Sequence, residues 1–264
     1  TRIPASDSAN RAPTPLELDC ADPSLPCLLE GSLVADPPLK QVVAHTGEAG
    51  LRGTTAAMAG TLDWSAGLFT TDSDNDIVSL ASTIAGRGYF ANVPLTRRRG
   101  VDVSARFAAP GGSTFCTYSY LDATYQFTGL LASPNNPAAD ADGNVLVTPG
   151  RHIPLNPAHQ LRAGADVQVL EGLSLGADLA VTGGQYFDGD PANQNAKLPA
   201  FWTVNLRASY HLTPRWEVFG LVNNLFDRHD ATYGAYYDAD PGDDPRTITL
   251  RQPISAQLGI RVAL

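Results

Sequence analysis

The sequence predicts an all-β fold, an antiparallel transmembrane β-barrel, on three observations. Apolar and polar residues alternate with period two in segment after segment. The connections between those segments alternate between short and long. Aromatic residues gather near the segment ends. The composition agrees. Charged residues are 17% of the 264-residue chain, below the roughly 25% of an ordinary soluble domain. No stretch approaches the roughly 18 apolar residues of a spanning helix. Spanning strands average to a bland hydropathy and stay open as a possibility. The formal charge of −9 argues against nucleic-acid binding, which draws on a basic patch. The basic cluster Arg97-Arg98-Arg99 stands alone in this acidic chain.

Residues 1–40 are Pro-rich and unpatterned, and are expected to form an external loop or tail; residues 41–264 form the barrel region. Nine strands are expected, at 41–52, 60–72, 88–108, 113–127, 159–169, 173–186, 200–211, 215–227 and 249–264, with a further short one at 76–84. Each carries a period-two pattern. Leu62, Trp64, Ala66 and Leu68 oppose Asp63, Ser65 and Gly67. Val101, Val103, Ala105 and Phe107 oppose Asp102, Ser104 and Arg106. Leu161 to Val169 oppose Arg162 and Asp166, and Leu173 to Val181 oppose Asp178. Trp202, Val204, Leu206, Ala208 and Tyr210 oppose Thr203, Asn205 and Arg207; Leu258, Ile260 and Val262 oppose Arg261. A soluble β-sandwich alternates too. The connections separate the two. Gly53 to Ala59, Ala109 to Gly112, Leu170 to Gly172 and Leu212 to Pro214 are short. Ser73 to Arg87, Thr128 to Ala158, Tyr186 to Pro199 and Arg228 to Ile248 are long. Sorting loops by length onto opposite ends belongs to an outer-membrane barrel. Tyr118, Tyr120, Trp202 and Trp216 near strand ends fit interface girdles.

Little catalytic or metal chemistry is visible. Cys20 and Cys27, seven positions apart in a polar Pro-rich stretch, are spaced to close a disulfide ring in an oxidising compartment, or are two free thiols. Cys116 falls in a strand as a small buried or lipid-facing residue. Asp72-Ser73-Asp74-Asn75-Asp76 begins like a calcium loop but lacks its Gly and Glu, so a solvated hairpin tip is expected. No H-E-x-x-H, G-x-S-x-G or phosphate-cradling Gly loop occurs, so no catalytic residue, metal or cofactor is assigned and the chain is not read as an enzyme. Arg97, Arg98, Arg99, His152, Arg162 and Arg207 are the candidate lumen or ligand-contact residues. For the triple arginine the plainer reading is lumen-wall pairing with Asp63 or Asp102.

The end of the chain is more specific. Val222-Asn223-Asn224-Leu225-Phe226-Asp227-Arg228 is followed by Ala231-Thr232-Tyr233-Gly234, Pro245-Arg246-Thr247 and a last alternating strand. This closely resembles the C-terminal end of TonB-dependent outer-membrane receptors, with Asn224, Leu225, Phe226 and Asp227 as the family motif. Leu39 to Val43 through Glu48 to Gly53, Asn92 through Arg97 to Asp102, and Tyr118 to Tyr125 resemble the same family in the same order. The resemblance implies a barrel of about 22 strands, of which this chain supplies about the last nine or ten, with the plug domain absent. It implies the bacterial outer membrane, lipid contact, and uptake of a scarce small molecule such as a ferric siderophore. The TonB complex would act through the missing plug region. The other class of reading is a standalone small barrel or sandwich that binds without transporting.

Overall fold

A computed structural model describes residues 2–19, 39–84, 87–237, 239 and 243–263. Its elements, in chain order, are β1 (Arg2–Arg11), α1 (Pro15–Asp19), β2 (Val42–Ala57), β3 (Gly60–Ala81), β4 (Gly88–Ala109), β5 (Gly112–Tyr125), β6 (Gly129–Ala132), β7 (Asn144–Val147), β8 (His159–Leu170), β9 (Leu173–Thr182), β10 (Phe201–Thr213), β11 (Trp216–Asn223), β12 (Ala231–Tyr236), β13 (Arg246–Leu250) and β14 (Ser255–Val262). Ten strands make one antiparallel sheet in the order β1-β2-β3-β4-β5-β8-β9-β10-β11-β14. The hairpins β6–β7 and β12–β13 stand apart from it. Among the described residues β1 and β14 are the sheet's open edges.

Antiparallel partners share a face, so the register extends each strand's alternation across the sheet. Leu68 lies opposite Val101, Val101 opposite Tyr120, Ala105 opposite Cys116 and Cys116 opposite Ala163. Val204 lies opposite Leu179, Leu206 opposite Val222, and Gly220 opposite Leu258. The other face carries Asp63 against Arg106, Asp102 against Ser119, Arg162 against Thr117, Asp166 against Ser113, Asp178 against Asn205, Arg207 against Gly176, and Arg261 against Glu217. Phe115 leans over Gly164, and Phe219 over Gly259, where a Cβ would meet the ring.

The apolar face is uncovered. Leu68 is 59% exposed, Leu258 82% and Ile260 64%. No second sheet packs on it among the described residues, so a sandwich, whose apolar faces bury each other, does not describe this chain. The sheet is polar inside and apolar outside, as in a membrane barrel. Burial occurs instead beyond the wall. One cluster joins Val93, Tyr125, Leu131 and Val147; another joins Phe187, Leu198 and Tyr236.

Two-residue turns at 58–59, 110–111, 171–172 and 214–215 lie at one end, and the long connections at the other. Gly111 (φ 106) and Gly172 (φ 79) suit such turns, whereas Met58 adopts φ 49 without glycine's freedom.

Several expectations change. Arg2–Arg11, expected as loop or tail, is strand β1, paired residue by residue with β2 from Arg11–Val42 to Arg2–Leu51. Small polar residues hide it from a hydrophobic pattern; it is recruited through backbone hydrogen bonds. Cys20 and Cys27 lie outside the described residues. Ser73 to Arg87, expected as a long loop with a short strand at 76–84, is mostly ladder. β3 and β4 run on past their neighbours to Ala81 and Gly88. The long connections 126–158 and 224–254 contain the two hairpins, and the expected strand 249–264 is interrupted at 251–254.

Candidate functional site

The long connections converge at one end of the sheet, where the buried groups are. A cavity of about 420 Å³ is lined there by Leu80, Arg98, Tyr125, Leu155, Asp188 and Tyr236, among others. Its floor is the external end of the wall. Arg98 reaches Asp76 at 3.0 Å and Thr96 at 2.9 Å, and Thr96 donates to Asp76 at 2.6 Å. Tyr125 ends β5, buried, with Phe127 edge-on at 5.7 Å between ring centres. Leu155 holds φ 59, a left-handed backbone that is strained for a bulky side chain.

The loops above are tied by polar contacts. Asp190 is fully buried and accepts backbone N–H groups from Gln194 and Asn195, each at 3.0 Å. Asn136 and Ser133 donate to Gly189 O. Asn193 grips His152 through both backbone groups. The β12–β13 hairpin docks through Asp188: its N–H donates to Gly234 O, its carbonyl accepts from Tyr236, and its carboxylate accepts the Tyr233 hydroxyl at 3.2 Å. Burial pushes the Asp188 carboxyl up from its ordinary value, against the Tyr233 hydrogen bond.

The candidate arginines divide by face. Arg98 lines the cavity. Arg97 and Arg99 lie on the apolar-face register at its external end; Arg97 pairs with Asp72 at 2.6 Å and Arg99 with Asp122 at 2.8 Å. The expected partners were Asp63 and Asp102. Those carboxylates accept Thr54 and Ser119 instead, because the register sets Arg97–Arg99 against β3 residues 70–72, seven or more positions from Asp63. His152 sits 3.6 Å from Asp122 and stacks on Tyr186. Asp72, Asp74 and Asp76 turn to Arg97, His45 and Arg98 rather than toward one another. Arg207 lies on the lumen face, bonded to Asp166 at 2.6 and 2.7 Å and to Asp178 at 2.8 Å. Arg162 shares that face, with no ion pair among the described residues. Asp190, Asp188 and Arg251 were missed by sequence reading; the two acids lie in a long connection whose pattern carries no periodic signal, and Arg251 lies where the expected strand 249–264 is interrupted.

The motif Asn224-Leu225-Phe226-Asp227 is a structural clasp. Asn224, at φ 50 and 4% exposed, donates to Arg228 O and Gln252 O and accepts from Arg228 N. Asp227 accepts from Ile254 N at 2.8 Å. The clasp thus binds the exit of β11 to the entry of β14. Phe226 meets Trp202 edge-on, and Arg228 lies over the same indole.

An antiparallel sheet with a charged inner face, an apolar outer face, two-residue turns at one end and a tied loop layer at the other defines an outer-membrane-type barrel. Residues 8–225 match the family described as TonB dependent receptor-like, beta-barrel, and the chain belongs to that family. No curated protein matches the sequence. Solved structures of similar fold include the copper transporter OprC (16% identity, 99% of this chain, 36% of that one, TM-score 0.70). Others are the siderophore receptor PiuA from Acinetobacter baumannii (20%, 84%, 28%, 0.65) and the ferric yersiniabactin uptake receptor FyuA from Yersinia pestis (18%, 90%, 32%, 0.63). The chain therefore spans about a third of the length of these receptors.

Proposed function

We propose that this chain is the C-terminal part of the barrel of a TonB-dependent receptor that takes up a scarce small molecule, a ferric siderophore first among the candidates. Its family consists of receptors and transporters. The observation that carries the reading is the loop-end cavity above a polar lumen wall. A solute captured among Arg98, Tyr125, Asp188 and Tyr236 would stand at the mouth of the charged channel face. Binding comes from the loops and lumen; energy comes from TonB, through a plug domain outside this chain. The outer membrane is the compartment in which an uncovered apolar face is stable.

Uptake of radiolabelled iron tests this. Cells bearing the intact receptor that contains this chain are offered a panel of ferric siderophores, with and without functional TonB. TonB-dependent uptake of one of them is the expected result; no uptake of any member would overturn the siderophore reading. Fractionation of the chain away from the outer membrane would overturn the transport reading itself.

A further inference from the structure

We propose that Arg162 and Arg251 form an anion-binding subsite at the loop-end mouth of the lumen, which takes a small molecule bearing carboxylate or phosphate groups. The proposal rests on the uptake reading and assigns its ligand a charge class.

Eight arginines of the wall and loops spend their charge on carboxylates: Arg11, Arg97, Arg98, Arg99, Arg207, Arg228, Arg246 and Arg261. Arg162 and Arg251 have no such partner among the described residues. Arg251 leaves β13 and folds back over the wall, with its guanidinium 4.7 Å from the centre of the Phe201 ring. It donates through Nη1 to Thr203 Oγ1. Its Nε is the one buried side-chain polar atom without a hydrogen bond among the described residues. Asp230, the acid in its vicinity, is held bidentately by Arg228 at 2.7 and 2.8 Å. A buried donor without an acceptor is destabilising and marks a missing partner.

The register brings the second guanidinium to the same place. Arg162 on β8 lies opposite Ala180 on β9, and Ala180 lies opposite Thr203 on β10. One row above, Gln160, Thr182 and Phe201 repeat the arrangement. With neighbouring strands ~4.8 Å apart, the backbones of Arg162 and Thr203 stand about 10 Å apart, within reach of two converging arginines. Ala180 and Thr182 are small, so the floor between them is low. The acids deeper on this face, Asp166 and Asp178, are already taken by Arg207. β8 and β10 both begin at the loop end, at His159 and Phe201, so the subsite faces the side from which a solute arrives. Planar guanidinium forks suit carboxylate and phosphate oxygens.

The probe is inorganic phosphate, followed by phosphorus NMR line broadening, with the chain folded in zwitterionic micelles and folding verified by heat-modifiable gel mobility. Arg162→Gln and Arg251→Gln should each weaken binding by about tenfold, and added salt should weaken the parent chain's binding. Arg261→Gln, near the opposite end, should leave it unchanged. Arg162 is exposed, with no ion pair among the described residues, so Arg162→Gln keeps the test sound if Arg251→Gln misfolds. Parent-like binding in both variants, or none by the folded parent chain, overturns the proposal. Binding of a glutamate-rich peptide far more tightly than phosphate would overturn the small-molecule assignment in favour of a protein segment. Subsite and uptake reading fail separately. Phosphate binding lost in the variants, with no siderophore taken up, sinks uptake alone; intact uptake with silent variants sinks the subsite alone.

Discussion

The wall and the loop layer of this molecule are built on opposite rules. Among the described residues the wall has no apolar core across its span: Leu68, Leu206, Leu258 and Ile260 face outward, the inner face carries rings such as Phe115 and Phe219 laid over Gly164 and Gly259, and cohesion comes from the backbone ladder and from lumen contacts such as Arg207 with Asp166 and Asp178. The loop layer is built like a small soluble protein, with Val93, Tyr125, Leu131 and Val147 buried together and Asp190 satisfied by N–H groups. The difference shows that solvent, not sequence composition, sets which side of a strand is inside. In hydrocarbon the ladder must be satisfied internally and apolar side chains gain nothing by turning in. In water the loops must bury them to stay ordered.

Substitutions can break this contrast. The largest effect is expected at the middle of the wall. Leu206→Arg, on the outward face, should destabilise the folded chain in lipid vesicles by about 2–4 kcal/mol, read from urea titration. A negligible change would remove the lipid-facing assignment. At the junction of the two regions, Asn224→Ala should cost about 2–3 kcal/mol through three lost hydrogen bonds at a buried site. Asn224→Gly should recover only the share owed to the left-handed backbone, so equal stability of Gly and Asn variants would show that the clasp is backbone alone.

In the loop layer the test is pH. The Asp188 carboxyl is raised in the docked hairpin. Docking is therefore fully favourable below the ordinary carboxylate value of 3.8, and that advantage is lost as pH rises through the raised value. Asp188→Asn should abolish this dependence and strengthen docking at neutral pH by on the order of 1 kcal/mol. Exchange of the Tyr236 amide, which donates to Asp188 O, measures it; unchanged pH dependence in the variant would refute the role. The smallest effect is at the other end. Met58 is fully exposed at φ 49, so Met58→Gly should stabilise the chain by about 1 kcal/mol, the order of the left-handed penalty. A loss of stability there would mean that the thioether makes contacts in lipid.

Most of the wall was legible because period two has one physical cause. A strand between lipid and lumen must alternate, and Asp63, Asp102, Arg106, Arg162, Asp166, Asp178, Arg207 and Arg261 all lie on the inner face that the alternation assigns them. β1 was not legible, because Ala5-Ser6-Asp7-Ser8-Ala9 carries no apolar rhythm and joins the sheet through its backbone ladder with β2. β4 was legible at nearly its full length, 88–108, whereas β3 was expected to stop at 72 with a separate short strand at 76–84; the ladder with β4 makes it one continuous strand to Ala81.

The sequence by itself determined the strand faces, the sorting of short turns from long loops, and the family, because these depend on local alternation and on motifs read in order. Only the tertiary structure decided that Arg97 and Arg99 pair with Asp72 and Asp122, that Asp188 and Asp190 tie the loops, and that Arg162 and Arg251 stand across one small floor. Those outcomes depend on register between strands and on loops meeting far along the chain. Cross-strand neighbours are chosen by the ladder as a whole, and no segment carries that information alone.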